Sequence, residues 1–178
     1  MQDELVSAAM RGDGPACRDL FDLWYPKAYR AGKAICGSRA LAEDAVQEAL
    51  LRFWRALPRL EKPEAAEGYF LKIVANEARR IRARRKSARE EPIRETEGSS
   101  ESVPENERER RMELMRAVGR LPESMRTAVR LHYYGGFSEA ETADMLRISL
   151  PSLKMRLVRA RRRLRALLER EGFEVNGG

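Results

Sequence analysis

Between Ser138 and Leu168 the chain carries a pattern that few folds accommodate. Ser138-Glu139-Ala140-Glu141 is a capping box. In it the Ser side chain accepts from the backbone three residues on, and the Glu reaches back to the N–H of the Ser. The short helix it starts runs to Leu146, Arg147 to Leu150 reads as a turn, and Pro151 to Leu168 reads as a longer helix, proline being well suited to a first turn. At 100° per residue, Leu153, Leu157, Ala160, Leu164, Leu167 and Leu168 form one apolar stripe, the width expected of a core-facing helix. The rest of that helix is basic, with seven Lys/Arg and no acid from Lys154 to Arg165. A solvated basic helix could carry such charge alone. A capped helix and a short turn placed before it favour a helix–turn–helix that presents its second helix to DNA.

The remainder of the chain is helical by period, and strand signals are nearly absent. An amphipathic piece with Leu5, Val6, Ala9 and Met10 precedes an aromatic-rich helix that starts at Pro15 and passes Leu20, Phe21, Trp24 and Tyr29 toward Ile35. Cys36-Gly37-Ser38 breaks it. A second helix spans about Ser38 to Leu57 and stops at Pro58; a charged loop, Glu61 to Glu67, leads to a third, about Glu67 to Ser87. Glu90 to Glu107 holds Pro92, Gly98, Ser99, Ser100, Ser102 and Pro104, with one Ile and one Val as its large aliphatics. Such a stretch cannot bury enough apolar surface to offset its ordering, so it reads as a flexible linker. Arg108 to Arg120 and a helix from Leu121-Pro122-Glu123 to Tyr134 follow. The expectation is an all-α protein with two small helical modules, 1–89 and 108–178, joined by an acidic linker at 90–107.

Charge supports this division. The net charge is +7, and it is concentrated in two basic blocks, 58–90 and 114–178, on either side of the acidic linker, which points to two nucleic-acid contacts. In the C-terminal block the residues expected to meet DNA are Ser152, Lys154, Met155, Arg156, Arg159, Arg162 and Arg163. Of these, Ser152, Met155, Arg156 and Arg159 lie where a recognition helix meets base edges, and the later arginines suit phosphates. In the N-terminal module Lys72, Asn76, Arg79 and Arg80 share the face of the third helix opposite Phe70, Ile73, Val74 and Ile81. The six Lys/Arg from Arg79 to Lys86 also suit a helix C-terminus for dipole reasons alone. The second helix has a core face of Val46, Ala49, Leu50, Phe53 and Leu57. Off that face lie Asp44, Gln47, Glu48 and Leu51, with Trp54 at the edge. Acids and an amide around an exposed Leu and Trp read as a protein-docking patch, against the plainer possibility that Leu51 and Trp54 pack on a neighbouring helix.

Other classes are disfavoured. Cys17 and Cys36 have no metal-type spacing and read as small buried thiols. A single histidine, His132, leaves no His-based metal cluster or triad. No phosphate-cradling glycine loop or nucleophile–base pair occurs, so no catalytic residue, metal or cofactor is expected. No signal-peptide core or apolar run of the ~20 residues a membrane span needs is present. A cytoplasmic protein without membrane insertion is expected.

At these residues the sequence resembles bacterial sigma-70 family factors of the extracytoplasmic function (ECF) type. Leu41-Ala42-Glu43-Asp44-Ala45-Val46-Gln47-Glu48-Ala49-Leu50-Leu51-Arg52-Phe53-Trp54 looks like the region 2 helix of that family, and Tyr69 to Asn76 like its next conserved segment. Leu121-Pro122 through Tyr133-Tyr134-Gly135-Gly136-Phe137-Ser138, then Ile148 through Leu164, look like region 4. The resemblance implies docking of Asp44, Gln47, Glu48, Leu51 and Trp54 on the beta-prime clamp of core RNA polymerase, and a further contact to the beta flap. It implies that Tyr69, Lys72, Asn76, Arg79 and Arg80 engage a −10 promoter element, with a flipped base near the loop Glu61 to Gly68. The basic second helix of the C-terminal pair would read the −35 element as duplex, and an anti-sigma protein would hold the factor inactive. Tyr69 stands where the family usually has Trp, Thr142 where a large aliphatic is usual, and Arg147 where a turn Gly is common. Pro151 and Met155 replace a common Gly and a small polar residue. A stand-alone helix–turn–helix regulator is the competing reading.

Overall fold

Asp13 fixes where the first long helix begins: its carboxylate accepts from the Ala16 N–H at 3.0 Å, and Pro15 occupies the first turn, where its missing N–H costs nothing. The computed structural model describes residues 2–87 and 105–170, and no strand occurs among them. They fall into two compact units, one within residues 1–95 and one within 96–178.

In the first unit α1 (Gln2–Met10) leads to α2 (Gly14–Cys36), α3 (Arg39–Ala56) and α4 (Ala66–Ser87), with single turns of 3-10 helix at Leu57–Arg59 and Pro63–Ala65. α2, α3 and α4 pack mutually and α1 lies on α2. The large aromatics converge: Phe53 of α3 lies 5.7 Å from Trp24 of α2, edge-on, and 5.2 Å from Phe70 of α4, while Trp24 stacks on Phe70 at 6.0 Å. All three are buried, and side chains of this size each contribute about 1.5–3 kcal/mol by burial. Small residues set the α2–α3 approach, since a Cβ on Gly32 would sit 3.3 Å from the Ala42 carbonyl oxygen. Gly37, with φ 74°, ends α2 in the left-handed conformation that glycine adopts without penalty.

Polar contacts also tie the helices of the bundle together. Arg82 of α4 donates to the carbonyl of Ile35 at 2.9 Å, meeting the negative end of α2. Lys27 of α2 pairs with Glu67 of α4 at 2.7 Å. The Cys36 thiol faces the carbonyls of Leu41 at 3.7 Å and Ala78 at 3.5 Å, so it touches all three long helices. Burial pushes that thiol up to about 12, with Asp44 adding to the rise and Arg82 opposing it. Both cysteines are partly rather than fully buried, and the Cys17 thiol faces the carbonyl of Ala9 at 3.9 Å.

The second unit comprises α5 (Glu105–Gly119), α6 (Glu123–Val129), α7 (Glu139–Leu146) and α8 (Leu150–Arg170). Most of the expected linker lies outside the described residues, but its last three residues belong to α5. Composition placed that boundary too late, because acids at 105 and 107 suit the positive end of a helix. α6 widens into a π-type turn at Arg130–Tyr134, closed by Gly135 N–H to the Arg130 carbonyl at 2.8 Å and by the His132 ring against the Phe137 carbonyl at 2.8 Å. Val118, Leu121, Ala128, Val129, Ala143, Leu153, Leu157 and Ala160 form the core, with Met125, Leu146, Ile148 and Leu164 at its margin.

Candidate interfaces for nucleic acid and a protein partner

The helix–turn–helix is built as the sequence suggests. Ser138 Oγ accepts from the Glu141 N–H at 3.2 Å, and Glu141 accepts from the Ser138 N–H at 2.9 Å. α7 ends at Arg147, whose φ of 56° and ψ of 44° are left-handed. The turn therefore takes a left-handed conformation that glycine adopts without penalty, and Arg bears the strain. α8 starts at Leu150, one residue before the expected proline, because the Ser149 hydroxyl accepts from the Ser152 N–H at 3.3 Å and donates to Ser152 Oγ at 2.8 Å. Its far end reaches Arg170.

Of the stripe expected to face the core, Leu153, Leu157 and Ala160 are buried, and Leu164, Leu167 and Leu168 are half-buried. The expected DNA face is exposed at Ser152, Lys154, Met155, Arg159, Arg162 and Arg163, with Arg156 half-buried at its edge. Lys154 also lies 3.6 Å from Glu139 of α7, so part of its charge is spent holding the two helices together. Thr142 on α7 is wholly buried, and its hydroxyl finds no partner among the described residues.

On α3, Ala42, Ala45, Val46, Ala49 and Phe53 face inward. Leu50, expected in the core, is only half-buried, since the small residues at 42, 45 and 49 bring α3 close along a neighbouring line. Asp44, Gln47 and Glu48 are exposed, and Leu51 keeps 55 % of its surface in contact with solvent. Trp54 is half-buried, its ring 5.3 Å from that of Phe53. A contiguous strip of acids and an amide thus surrounds an aliphatic side chain that the fold leaves uncovered.

α4 presents the second candidate stripe. Lys72 is exposed, and Arg79 donates to Asn76 Oδ1 at 2.9 Å and to the Ala75 carbonyl at 3.1 Å. That geometry holds Asn76 and Arg79 as one unit. Ile73, expected inside, is half-buried, while Leu71, Ala75 and Ala78 are buried, so the core face is rotated slightly from the expected one. Tyr69 is 39 % exposed, with its ring 6.4 Å from Phe53.

Sequence reasoning missed the residue that links these two surfaces. Glu77 of α4 is only 3 % exposed, yet it is a carboxylate. Arg52 of α3 meets it at 3.0 Å and Arg80 at 2.6 Å, and Arg80 also lies 3.9 Å from Glu48. A buried acid is tolerated only when paired, and here two half-exposed guanidiniums satisfy it. The residues that could signal it are Arg52 and Arg80 around Glu77, but Arg52 comes from a different helix, so helical period does not mark Glu77 as buried. Arg80 is thus tied toward α3 as well as belonging to the basic stripe.

Among the described residues no cluster of three or more His, Cys, Asp or Glu is arranged to hold a metal, and no helix is long and apolar enough to cross a membrane.

Comparison with known proteins agrees with this layout. Residues 20–89 match Sigma-70 region 2, and residues 111–164 match Sigma-70, region 4. The chain is 30 % identical over 177 residues to the ECF RNA polymerase sigma factor SigL of Mycobacterium tuberculosis, covering 94 % of this chain and 97 % of SigL. It is 29 % identical over 165 residues to SigM of the same organism, covering 93 % and 83 %. Similar solved structures include CnrH in complex with the cytosolic domain of CnrY, with a TM-score of 0.67 at 23 % identity, covering 94 % of this chain and 97 % of CnrH. The sigma factor RpoE in complex with the anti-sigma factor NepR from Bartonella quintana gives 0.61 at 22 %, covering 85 % and 96 %. At these identities the structures speak to fold alone.

Proposed function

Because the chain belongs to the ECF group of the sigma-70 family and is an RNA polymerase sigma factor, we propose which of its surfaces perform each step of initiation. The α3 patch of Asp44, Gln47, Glu48, Leu51 and Trp54 docks on the beta-prime clamp of core polymerase. The observation that carries this assignment is Leu51, exposed over half its surface inside a polar ring. A partner that covers Leu51 gains apolar burial at its centre, and complementary cations facing Asp44 and Glu48 set orientation and encounter rate.

Promoter DNA then meets two surfaces. The α4 stripe of Lys72, Asn76, Arg79 and Arg80, with Tyr69 at its start, engages the −10 element. Melting there requires a base to leave the stack, at a cost of a few kcal/mol, which stacking and phosphate contacts must offset. The segment 61–65 ahead of α4 and the exposed Tyr69 ring would receive such a base. α8 lies in the major groove of the −35 element, with Ser152, Met155, Arg156 and Arg159 at base edges and Lys154, Arg162 and Arg163 on phosphates. The C-terminal unit also contacts the beta flap. The chain contributes binding energy and no bond chemistry, the phosphodiester step belonging to the polymerase. An anti-sigma protein covering these same surfaces would hold the factor inactive in the cytoplasm, a proposal supported by the complexes named above.

Transcription in vitro from a genomic fragment library, with core polymerase and the full chain, tests this reading. Transcripts should start downstream of two shared elements, one near −10 and one near −35. Initiation no different from that of core polymerase alone would refute it, and would favour a regulator that binds DNA without polymerase.

A further inference from the structure

α8 carries an apolar strip on the side turned away from its core. Met155 is 53 % exposed and Val158 is 42 % exposed. At 100° per residue Pro151, also exposed, falls between them in angle, so the three side chains form one ridge. Neither large side chain contributes to the hydrophobic core of its unit. Cations border the ridge: Arg159 on one side, Lys154 and Arg161 on the other, and Arg162 in line with it at its C-terminal end. From Leu150 to Leu168 the helix holds no acid.

The charge around the ridge selects its occupant. A protein surface that covered Met155 and Val158 would have to neutralise a ring of cations within one contact. Duplex DNA does so with its phosphates, and its major groove offers one strongly apolar feature, the C5-methyl of thymine. We propose that the Met155–Val158 ridge reads thymine methyl groups, so that the upstream element of this factor carries thymine at one or two adjacent positions facing the first two turns of α8. This rests on the assignment of α8 to the upstream duplex given above. Arginine at 159 then supplies guanine or phosphate contacts beside the ridge, and the specificity at the ridge itself is carried by shape and methyl burial rather than by hydrogen bonds.

Replacing thymine by uracil removes only the methyl group and keeps every base-pair hydrogen bond. The test uses holoenzyme assembled from core polymerase and the full chain, with upstream duplex selected from a randomised pool by the wild-type protein. Uracil is then placed at each thymine in turn and binding is measured for wild type, Met155→Ala and Arg159→Ala. Wild type should lose about fourfold per contacted methyl, the transfer free energy of one methylene-sized group converted at tenfold per 1.4 kcal/mol. Met155→Ala should bind more weakly and lose its response to uracil at that position. Arg159→Ala should bind more weakly and keep that response. Met155 is exposed, so its truncation leaves the fold standing.

Equal uracil responses in wild type and Met155→Ala would overturn the proposal. A selected element without thymine would do the same, as would one unchanged by Met155→Ala and Val158→Ala, which would give the ridge to a protein partner. In each of these cases the assignment of α8 to the upstream duplex would survive, since Arg159→Ala still weakens binding. A pool that shows no upstream element would overturn both.

Discussion

Thr142→Val should make the C-terminal unit more stable. The side chain is 0 % exposed, and its hydroxyl has no hydrogen-bond partner among the described residues. Leaving a buried polar group unsatisfied costs about 1–3 kcal/mol. Valine has nearly the same shape, replaces the hydroxyl with a methyl, and differs little from threonine in helix propensity. A gain of about 1–2 kcal/mol follows, or several degrees in the melting temperature of a unit this small. Thr142→Ser separates the two atoms, because it keeps the hydroxyl and deletes the methyl; it should lose about 1 kcal/mol. Native-state hydrogen exchange reads the effect locally. Amides of α7 and α8 should gain protection in Thr142→Val, while those of α2, α3 and α4 serve as an internal control. Unchanged or reduced protection in α7 and α8 would refute the reasoning, as would an equal change in both units.

Three further outcomes follow from the same structure. Arg147→Gly should stabilise the helix–turn–helix by about 0.5–1 kcal/mol, since relief of the left-handed strain exceeds the entropy that glycine adds to the unfolded chain; a lower melting temperature would contradict this. Glu77→Gln should cost the N-terminal unit about 1–2 kcal/mol in urea unfolding followed by the fluorescence of Trp24 and Trp54, a modest figure because Arg52 and Arg80 are half-exposed and can hydrate; wild-type stability would contradict the pairing. Cys36 should make the N-terminal unit sensitive to alkali: below its ordinary value of 9.0 its contribution is fully present, and as pH rises toward about 12 the unfolded chain releases a proton that the folded one retains. Unfolding measured across that range should show stability falling with pH more steeply in wild type than in Cys36→Ala, and identical slopes would exclude the thiol as the cause.

Much of the architecture was legible because it rests on local rules. The capping box at Ser138, proline in the first turn of α2 and α8, and glycine after Cys36 are signals that act within a few residues, and each appears where its chemistry placed it. The exposed basic side of α8 followed from period alone. What stayed hidden depends on tertiary partners. Glu77 looks like a solvated acid until α3 brings Arg52 to it, and Arg82 looks like one cation in a basic run until the end of α2 supplies the Ile35 carbonyl. The π-type turn after α6 is fixed by His132 against the Phe137 carbonyl and has no periodic signature. Leu51 lies off the core face by helical period, and the structure leaves it exposed.

Docking through α3 is the claim on which the rest depends, and the affinity of core RNA polymerase for the full chain tests it most directly. Asp44→Ala, Gln47→Ala and Leu51→Ala combined should weaken that affinity by about 100-fold or more, as loss of a central apolar anchor and its polar ring implies, with helical content and unfolding of the N-terminal unit unchanged. Wild-type affinity in a variant that folds normally would contradict the account.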